Sequence, residues 1–427
     1  MTNKKPPKPK SRTKPAKRNR EHIDIRMYNV GFGDAFLLKI PSKSKELKVL
    51  VDCGSHAAGP GPRPIREVAE QIVRDVTEKG KAHIDLVVAT HRHQDHVSGF
   101  GNDVWDDVEV GEVWMPWTED PRDPRARKIC ETQSKVAAHL AAQMAALGMA
   151  PELRQLAENS LTNAAAMRTL HEGFLGSPKR RFLPLEFGTR SFEPECLPGV
   201  LVHVLGPSRD AEVIRDMDPP AGQSYLRMRE LGASTRTEVP LVPFRSHWVE
   251  KLDSFPLENP NLALRPKEIE ILRKIGSGEE LAVAVALDKA VNGTSLLLMF
   301  RVKKAHLLLS GDAQWGTWHA VLEDPQWREL LTKTTFHKVG HHGSHNASPK
   351  DFVDNVLGDG VCEMVSTRPM KKWKYIPKEE LLTELRKKKR SLARSDKADP
   401  KDSPQFERHL GESAAEGGLW IDTTIPM

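Results

Sequence analysis

The stretch HIDLVVATHRHQDH, residues 83–96, decides how this chain is read. Its first eight residues are a short apolar run of the kind that forms a buried strand. The run passes directly into His91, His93, Asp95 and His96, four metal-capable side chains within six residues. Burying so much potential charge at a strand end is costly unless a cation compensates it. In an extended segment side chains repeat every two residues, so His91 and His93 point to one side and can share an ion. A bend at Gln94 then turns Asp95 and His96 toward a second ion. Imidazole and carboxylate together suit zinc first, with manganese or iron as alternatives. A lone histidine would carry none of this, because single histidines are ordinary core or surface residues.

Outward from this stretch, apolar runs alternate with turns and helical patterns. IDIRMYNV (23–30), AFLLKI (35–40) and LKVLVDC (47–53) read as strands, with the glycine-rich GFGD between the first two. A helix is expected over 65–79, and GEVWMPW (111–117) reads as another strand. Residues 125–174, rich in Ala, Leu, Met and Gln, read as two or more helices broken near Gly148 and Pro151. VLVHVLGP (200–207) returns to strand. Residues 208–280 carry seven prolines between 219 and 266 and read as an insertion with a helix near 266–275. Strands then follow at 281–288, 295–302, 305–312, up to His342 in KVGHH (338–342), and at 361–367. A helix is expected at 378–390, a loop at 391–416 and a closing strand at 418–425. The pattern predicts an α/β domain of layered sheets covered by helices.

These motifs resemble the metallo-β-lactamase superfamily, whose signature is HxHxDH. VLVDCG (49–54) resembles that family's strand ending in an aspartate, here Asp52, which supports the metal loop. LLLSGDA (307–313) resembles the strand ending in the bridging aspartate, here Asp312. KVGHHGSHNAS (338–348) resembles the late metal-binding histidine segment. MYNVGFGDAFLL (27–38), with Gly31, Gly33 and Asp34, and VNGTSLLL (291–298), with Asn292 and Ser295, are similar to the ComEC-like competence-protein hydrolase branch, as is the HHGS that ends at Ser344. The matches run in order from about Ile23 to Tyr375, omitting the helical segment and the insertion. The resemblance implies an αββα sandwich with helical and irregular insertions. It also implies two divalent ions, zinc by preference, bridged by Asp312 and a hydroxide that attacks a phosphodiester. Asp34 and Asp52 have a plainer reading as turn or loop caps.

The resemblance leaves several points open. Adjacent strand residues face opposite ways, so only one of His341 and His342 is expected to bind metal; the other would face substrate as a proton carrier, a role Asp95 can share. His203, the one mid-chain histidine near a strand end, reads better as a strand residue than as a ligand. His345 either contacts substrate or is simply exposed. Lys371, Lys372, Trp373, Lys374, Tyr375 and the run Arg386 to Arg390 would track a nucleic-acid backbone with an aromatic stacked on a base, or form a solvated helix face.

Composition narrows the remaining classes. The 427 residues carry a formal net charge of +6, but residues 1–20 hold nine Lys or Arg and no acid. Removing those nine leaves −3 for the body, which argues against a broad nucleic-acid surface. The tail to residue 22 is expected to be disordered, and either holds a polyanion loosely or keeps the chain soluble. Four scattered cysteines make no disulfide framework, and Cys53 reads as a packing residue. No apolar run is long enough to span a bilayer and no signal-peptide core opens the chain, so a cytoplasmic protein is expected. Besides a nuclease or phosphodiesterase, two readings stand. One is a hydrolase of a small ester, lactone or phosphorylcholine-type substrate. The other is a non-enzymatic binding module stabilised by metal.

Overall fold

The computed structural model describes residues 21–146, 163–185, 190–210, 213–214, 216, 218–225, 290–370, 376–398, 405–410 and 418–427, with backbone alone at 139–146 and 221. Sixteen strands form two sheets among these residues. They are β1 (His22–Tyr28), β2 (Ala35–Pro41), β3 (Glu46–Cys53), β4 (Thr77–Glu78), β5 (Lys81–Val88), β6 (Glu109–Pro116), β7 (Lys179–Leu183), β8 (Ser191–Phe192), β9 (Leu201–Gly206), β10 (Leu297–Val302), β11 (Ala305–Leu309), β12 (Phe336–Lys338), β13 (Cys362–Val365), β14 (Ser391–Arg394), β15 (Glu407–His409) and β16 (Trp420–Pro426). The first sheet runs β15-β16-β1-β2-β3-β5-β6-β7, with β4 folded onto β5; the second runs β14-β13-β12-β11-β10-β9-β8.

Each sheet is antiparallel on one side and parallel on the other. β16, β1, β2 and β3 pair antiparallel, and β3, β5, β6 and β7 pair parallel. In the second sheet β8 to β11 pair antiparallel, and β11 to β14 parallel. Parallel strands all end at the same edge, and loops leaving those ends are where α/β sheets place their sites. Here the ends of β3, β5, β11, β12 and β13 deliver Asp52, His91, Asp312, His342 and Ser366.

Side-chain alternation explains how the sheets stack. On β2, Phe36, Leu38 and Ile40 enter one apolar cluster while Ala35 and Leu37 enter another. On β10, Leu298 and Phe300 join the first cluster, whereas Leu297 and Met299 join a third. The shared cluster is therefore the seam between the sheets. The helix Ile65–Val76 covers the outer face of the first sheet through Val68, Ala69, Ile72 and Val76, joined by Ala166, Met167 and Leu170 of the helix Ala164–Glu172. Trp318, Val321 and Leu322 of the helix Trp315–Glu323, with Leu381, Leu382 and Leu385 of the helix Glu379–Leu385, cover the second. The mixed α/β architecture is thus helix, sheet, sheet, helix. Strands covered on both faces read as near-continuous apolar runs, which is why 47–53 and 305–309 were legible. Full burial of each such side chain stabilises the fold by about 1.5–3 kcal/mol.

Several expected boundaries are corrected. The helix expected at 378–390 stops at Leu385, because Lys388 and Lys389 take left-handed φ of 56°. The loop expected at 391–416 contains β14, paired parallel in register with β13, and β15. The helical segment 125–174 appears as Pro124–Ala146 and Ala164–Glu172. Its break at Gly148 and Pro151, the tail 1–20, most of the 208–280 insertion and the strand expected at 281–288 lie outside the described residues. No helix among those described is long and apolar enough to cross a membrane.

One ion pair under the first sheet gives a stability test. Glu112 accepts from Arg181 Nε at 2.6 Å and Trp114 Nε1 at 2.8 Å. Burial alone pushes the Glu112 carboxyl up, but the Arg181 and Trp114 hydrogen bonds outweigh it and hold the carboxyl below its usual value. A depressed folded-state pKa means the stabilisation is complete above the unfolded value of 4.5 and fades as pH falls through the folded one. Glu112→Gln is expected to cost about 1–3 kcal/mol near neutral pH. In urea titrations the gap from wild type should narrow below about pH 4.5. A gap that widens on acidification contradicts this reading.

Candidate metal centre

β5 ends at Val88, and the chain passes through a bend at Arg92 to an extended His93 before a single helical turn, Gln94–Val97, begins. That turn is the expected bend. His91 Nε2 and His93 Nδ1 lie 3.1 Å apart, so the structure brings this pair together. The turn carries Asp95 and His96, both buried, and the His96 ring packs against His91 with centroids 4.1 Å apart.

Two loops of the first sheet hold the turn. Asp52, at the end of β3, has a φ of 56°, a left-handed conformation rare for a residue with a Cβ. The surrounding bonds sustain it. Its carboxylate accepts from Thr90 N at 2.7 Å and Thr90 Oγ1 at 2.8 Å, and meets His96 Nδ1 at 2.8 Å. Asp52 therefore holds the loop that carries His91 to His96. Asp34 N donates to the Asp95 carbonyl at 2.9 Å, which ties the GFGD turn to the same loop. Gly33 makes that approach possible: a Cβ there would sit 2.3 Å from Gly54 O and 2.7 Å from Asp95 O. Gly31 crosses the neighbouring loop equally closely, 2.3 Å from Gly59 O. Gly33→Ala is expected to destabilise by roughly 1–3 kcal/mol, the usual cost of overpacking. It should also weaken zinc binding at least ~10-fold. A zinc titration with wild-type affinity would contradict the second part.

The second sheet supplies the rest. Asp312 Oδ2 lies 3.2 Å from His96 Nε2 and 3.9 Å from each of His341 Nε2 and His342 Nε2. His342 Nε2 is 3.0 Å from Asp95 Oδ2, while its Nδ1 donates to Ser366 O at 3.0 Å. Asp95, His96, Asp312 and His342 are all buried, and each offers a ligand atom within 4.8 Å of the others. Asp95 Oδ1 is buried with no hydrogen-bond partner among the described residues. An orphaned carboxylate oxygen beside two imidazoles and a second carboxylate is a donor set that fits a divalent ion. A second group, Asp34, Asp52 and His96, also converges. It is already internally paired, because Lys338 Nζ contacts Asp34 and donates to Gly311 O at 3.2 Å. His91 and His93 belong to neither group.

The electrostatics follow from this packing. Burial pulls the His96 imidazolium down, but Asp312 and Asp52 more than offset it and hold it well above the histidine range. Burial likewise opposes charge on His342, which the Asp95 hydrogen bond and Asp312 raise. His91 is held well below the usual value, first by burial and then by His96 and His93. Asp95 and Asp312 resist the upward push of burial and stay low because protonated imidazoles face them. Lys338 stays charged against burial because Asp34, Asp312 and Asp52 surround it. In this cluster, imidazolium and ammonium protons neutralise the carboxylates where a metal cation can replace the former.

One premise is overturned. His341 and His342 are not consecutive strand residues, because β12 ends at Lys338. They form a tight turn with φ of 47° and 53°, followed by Gly343 at 81°. Alternation does not apply, and both rings face Asp312. Burial separates them instead: His342 is fully buried and His341 keeps part of its ring exposed.

The remaining candidates lie around or away from the cluster. Ser344 Oγ donates to Asn346 Oδ1 at 2.8 Å. Asn292 is buried in the turn before β10, where its carbonyl accepts from Ser295 N, and His345 is half-buried. His203 sits on β9, 2.8 Å from Ser191 Oγ and edge-on to Trp327, a strand residue as expected. Lys371, Trp373 and Tyr375 lie outside the described residues. The run 386–390 is corrected in part. Arg390 is buried, donating to the carbonyls of Lys387, Val353 and Glu384, and Lys387 pairs with Glu384. Those groups are used internally and do not track a ligand. The four cysteines are free, and Cys53 is buried in the core as expected. Lys338, Thr90, Gln314 and Asn346 are the site residues missed from sequence. No family model matches the chain, and no curated protein matches it.

Proposed function

We propose that this protein is a metal-dependent hydrolase of the metallo-β-lactamase superfamily, akin to the soluble hydrolase part of ComEC-like competence proteins, acting on a phosphodiester. The observation that carries the proposal is the convergence of Asp95, His96, Asp312 and His342, buried and within 4.8 Å, on one edge of a two-sheet sandwich. These four side chains hold the ion, zinc by preference, with manganese or iron as alternatives. His91 and His93, with ring nitrogens 3.1 Å apart, would hold a second ion. When bound, such an ion supplies Lewis acidity and a water acidified toward neutral pH. Asp52 and Thr90 orient His96, and Lys338 pairs with Asp34 beside Asp312. His341, partly exposed and 3.9 Å from Asp312 Oδ2, is placed to take or return a proton at Nε2. The phosphodiester preference rests on the sequence resemblance.

The test is metal analysis of purified protein coupled to a panel of bis-aryl phosphate, single- and double-stranded DNA, RNA and lactone. Bound divalent metal with phosphodiester turnover supports the proposal. Turnover of lactone alone moves the assignment to small esters, and no turnover of any member with metal bound refutes the enzyme. For a nuclease, binding should also weaken steeply with salt.

One observation favours a second reading, a metal-stabilised binding module: four buried protein donors also describe a closed structural site. Metal removal separates the two readings. A structural ion is part of the folding free energy, so its loss unfolds the domain; a catalytic one leaves a folded, inactive protein.

A further inference from the structure

A chain of buried amides beside the metal centre has a polarity that can be read from its fixed end. Gln314 Nε2 lies 3.3 Å from the carbonyl oxygen of Asp312. A backbone carbonyl only accepts, so the Gln314 nitrogen points there and its Oε1 points the other way. That Oε1 is 2.7 Å from Asn346 Nδ2, which must donate to it. Asn346 Oδ1 is then an acceptor, and two groups meet it: Ser344 Oγ at 2.8 Å and His341 Nδ1 at 3.2 Å. His341 Nδ1 therefore carries a hydrogen. Flipping either amide would set oxygen against oxygen, at Asp312 O or between Gln314 and Asn346. Gln314 Nε2 also passes 3.5 Å from His341 Nδ1, but each of these donors has the better acceptor just named. Gln314, Ser344 and Asn346 are all buried, where an unmatched polar atom is expensive.

We infer that Asn346, oriented by Gln314, is a positioning residue that holds the hydrogen on His341 Nδ1 and sets the ring with Nε2 on the side of Asp312. Asn346 acts through His341, holding the ring where its Nε2 lies 3.9 Å from Asp312 Oδ2. The left-handed backbone at His341 fits this picture: its N–H donates to Asp312 Oδ1 at 3.0 Å, so one carboxylate anchors the main chain while the amide chain sets the ring. The catalytic part rests on the hydrolase reading; the tautomer does not.

The experiment is long-range nitrogen–proton NMR on metal-free protein with ¹⁵N-labelled histidine, at a pH where the ring is neutral. His341→Gln identifies the His341 signals by their loss. The expected wild-type pattern is a protonated Nδ1 and a bare Nε2, and Asn346→Ala should erase that preference. A protonated Nε2 in wild type, or an unaltered pattern in Asn346→Ala, overturns the inference. Should Asn346→Ala not fold, Gln314→Leu removes the anchor of the same chain and is expected to give the same mixed pattern; an unaltered one overturns it. With a phosphodiester that wild type turns over, Asn346→Ala should lower kcat roughly 10–100-fold with little change in KM, and an unchanged kcat overturns the positioning role. The NMR result needs no substrate, so it stands or falls separately from the hydrolase assignment.

Discussion

Asp312→Ala is expected to abolish metal binding and turnover together while leaving a folded chain. One carboxylate makes five contacts with four residues here. Its Oδ2 faces His96, His341 and His342, and its Oδ1 accepts from His341 N at 3.0 Å and lies 3.8 Å from Lys338 Nζ. Without it the remaining donors are two imidazoles and Asp95, beside the ammonium of Lys338, an arrangement that repels a cation. Lewis-acid catalysis contributes several kcal/mol to a transition state, so turnover should fall by roughly 10³-fold or more. Removing one partner of a buried ion pair typically costs about 3–5 kcal/mol, short of most domain stabilities. Asp312→Asn keeps the volume and should be nearly as inactive. Steady-state kinetics with metal analysis of both variants checks this; full activity with metal bound contradicts the assignment.

Lys338→Met should destabilise the metal-free protein by about 3–5 kcal/mol, because it leaves Asp34 and Asp312 buried without their cation. The same change should tighten zinc binding, since the ammonium no longer competes for Asp312. Zinc should therefore raise the urea midpoint of the variant by more than that of wild type. Denaturation with and without zinc measures both effects. An unchanged metal-free midpoint would show that Lys338 does not balance these carboxylates.

Lys338 also shows where sequence reading stops. Nothing in FHKVGHH (336–342) distinguishes a lysine at a strand end pointing at solvent from one pointing inward; only the stacking of the second sheet on the first places Asp34 within its reach. HxHxDH was legible because four metal-capable side chains lie in six residues, two of which, Asp95 and His96, join the buried cluster, and Asp52 and Asp312 because each stands at the end of an apolar run. Asn346 and Gln314 were not, since the bond that orients Asn346 joins residues 32 positions apart. The premise of alternation at His341 and His342 failed because β12 ends at Lys338 and the backbone is left-handed at both histidines. The helix expected to 390 failed for a related reason: charge and propensity continue through Lys389, but the chain must reverse to lay β14 beside β13. Core strands are local in their signal, and the long-range pairings that complete the centre are not.

On the proposed function, a cation belongs among Asp95, His96, Asp312 and His342. Anomalous diffraction at the zinc absorption edge, from crystals grown with saturating zinc, tests it most directly. A peak is predicted in contact with those four side chains, absent in crystals of His342→Ala. No peak there, or zinc held only by other residues, would contradict the account.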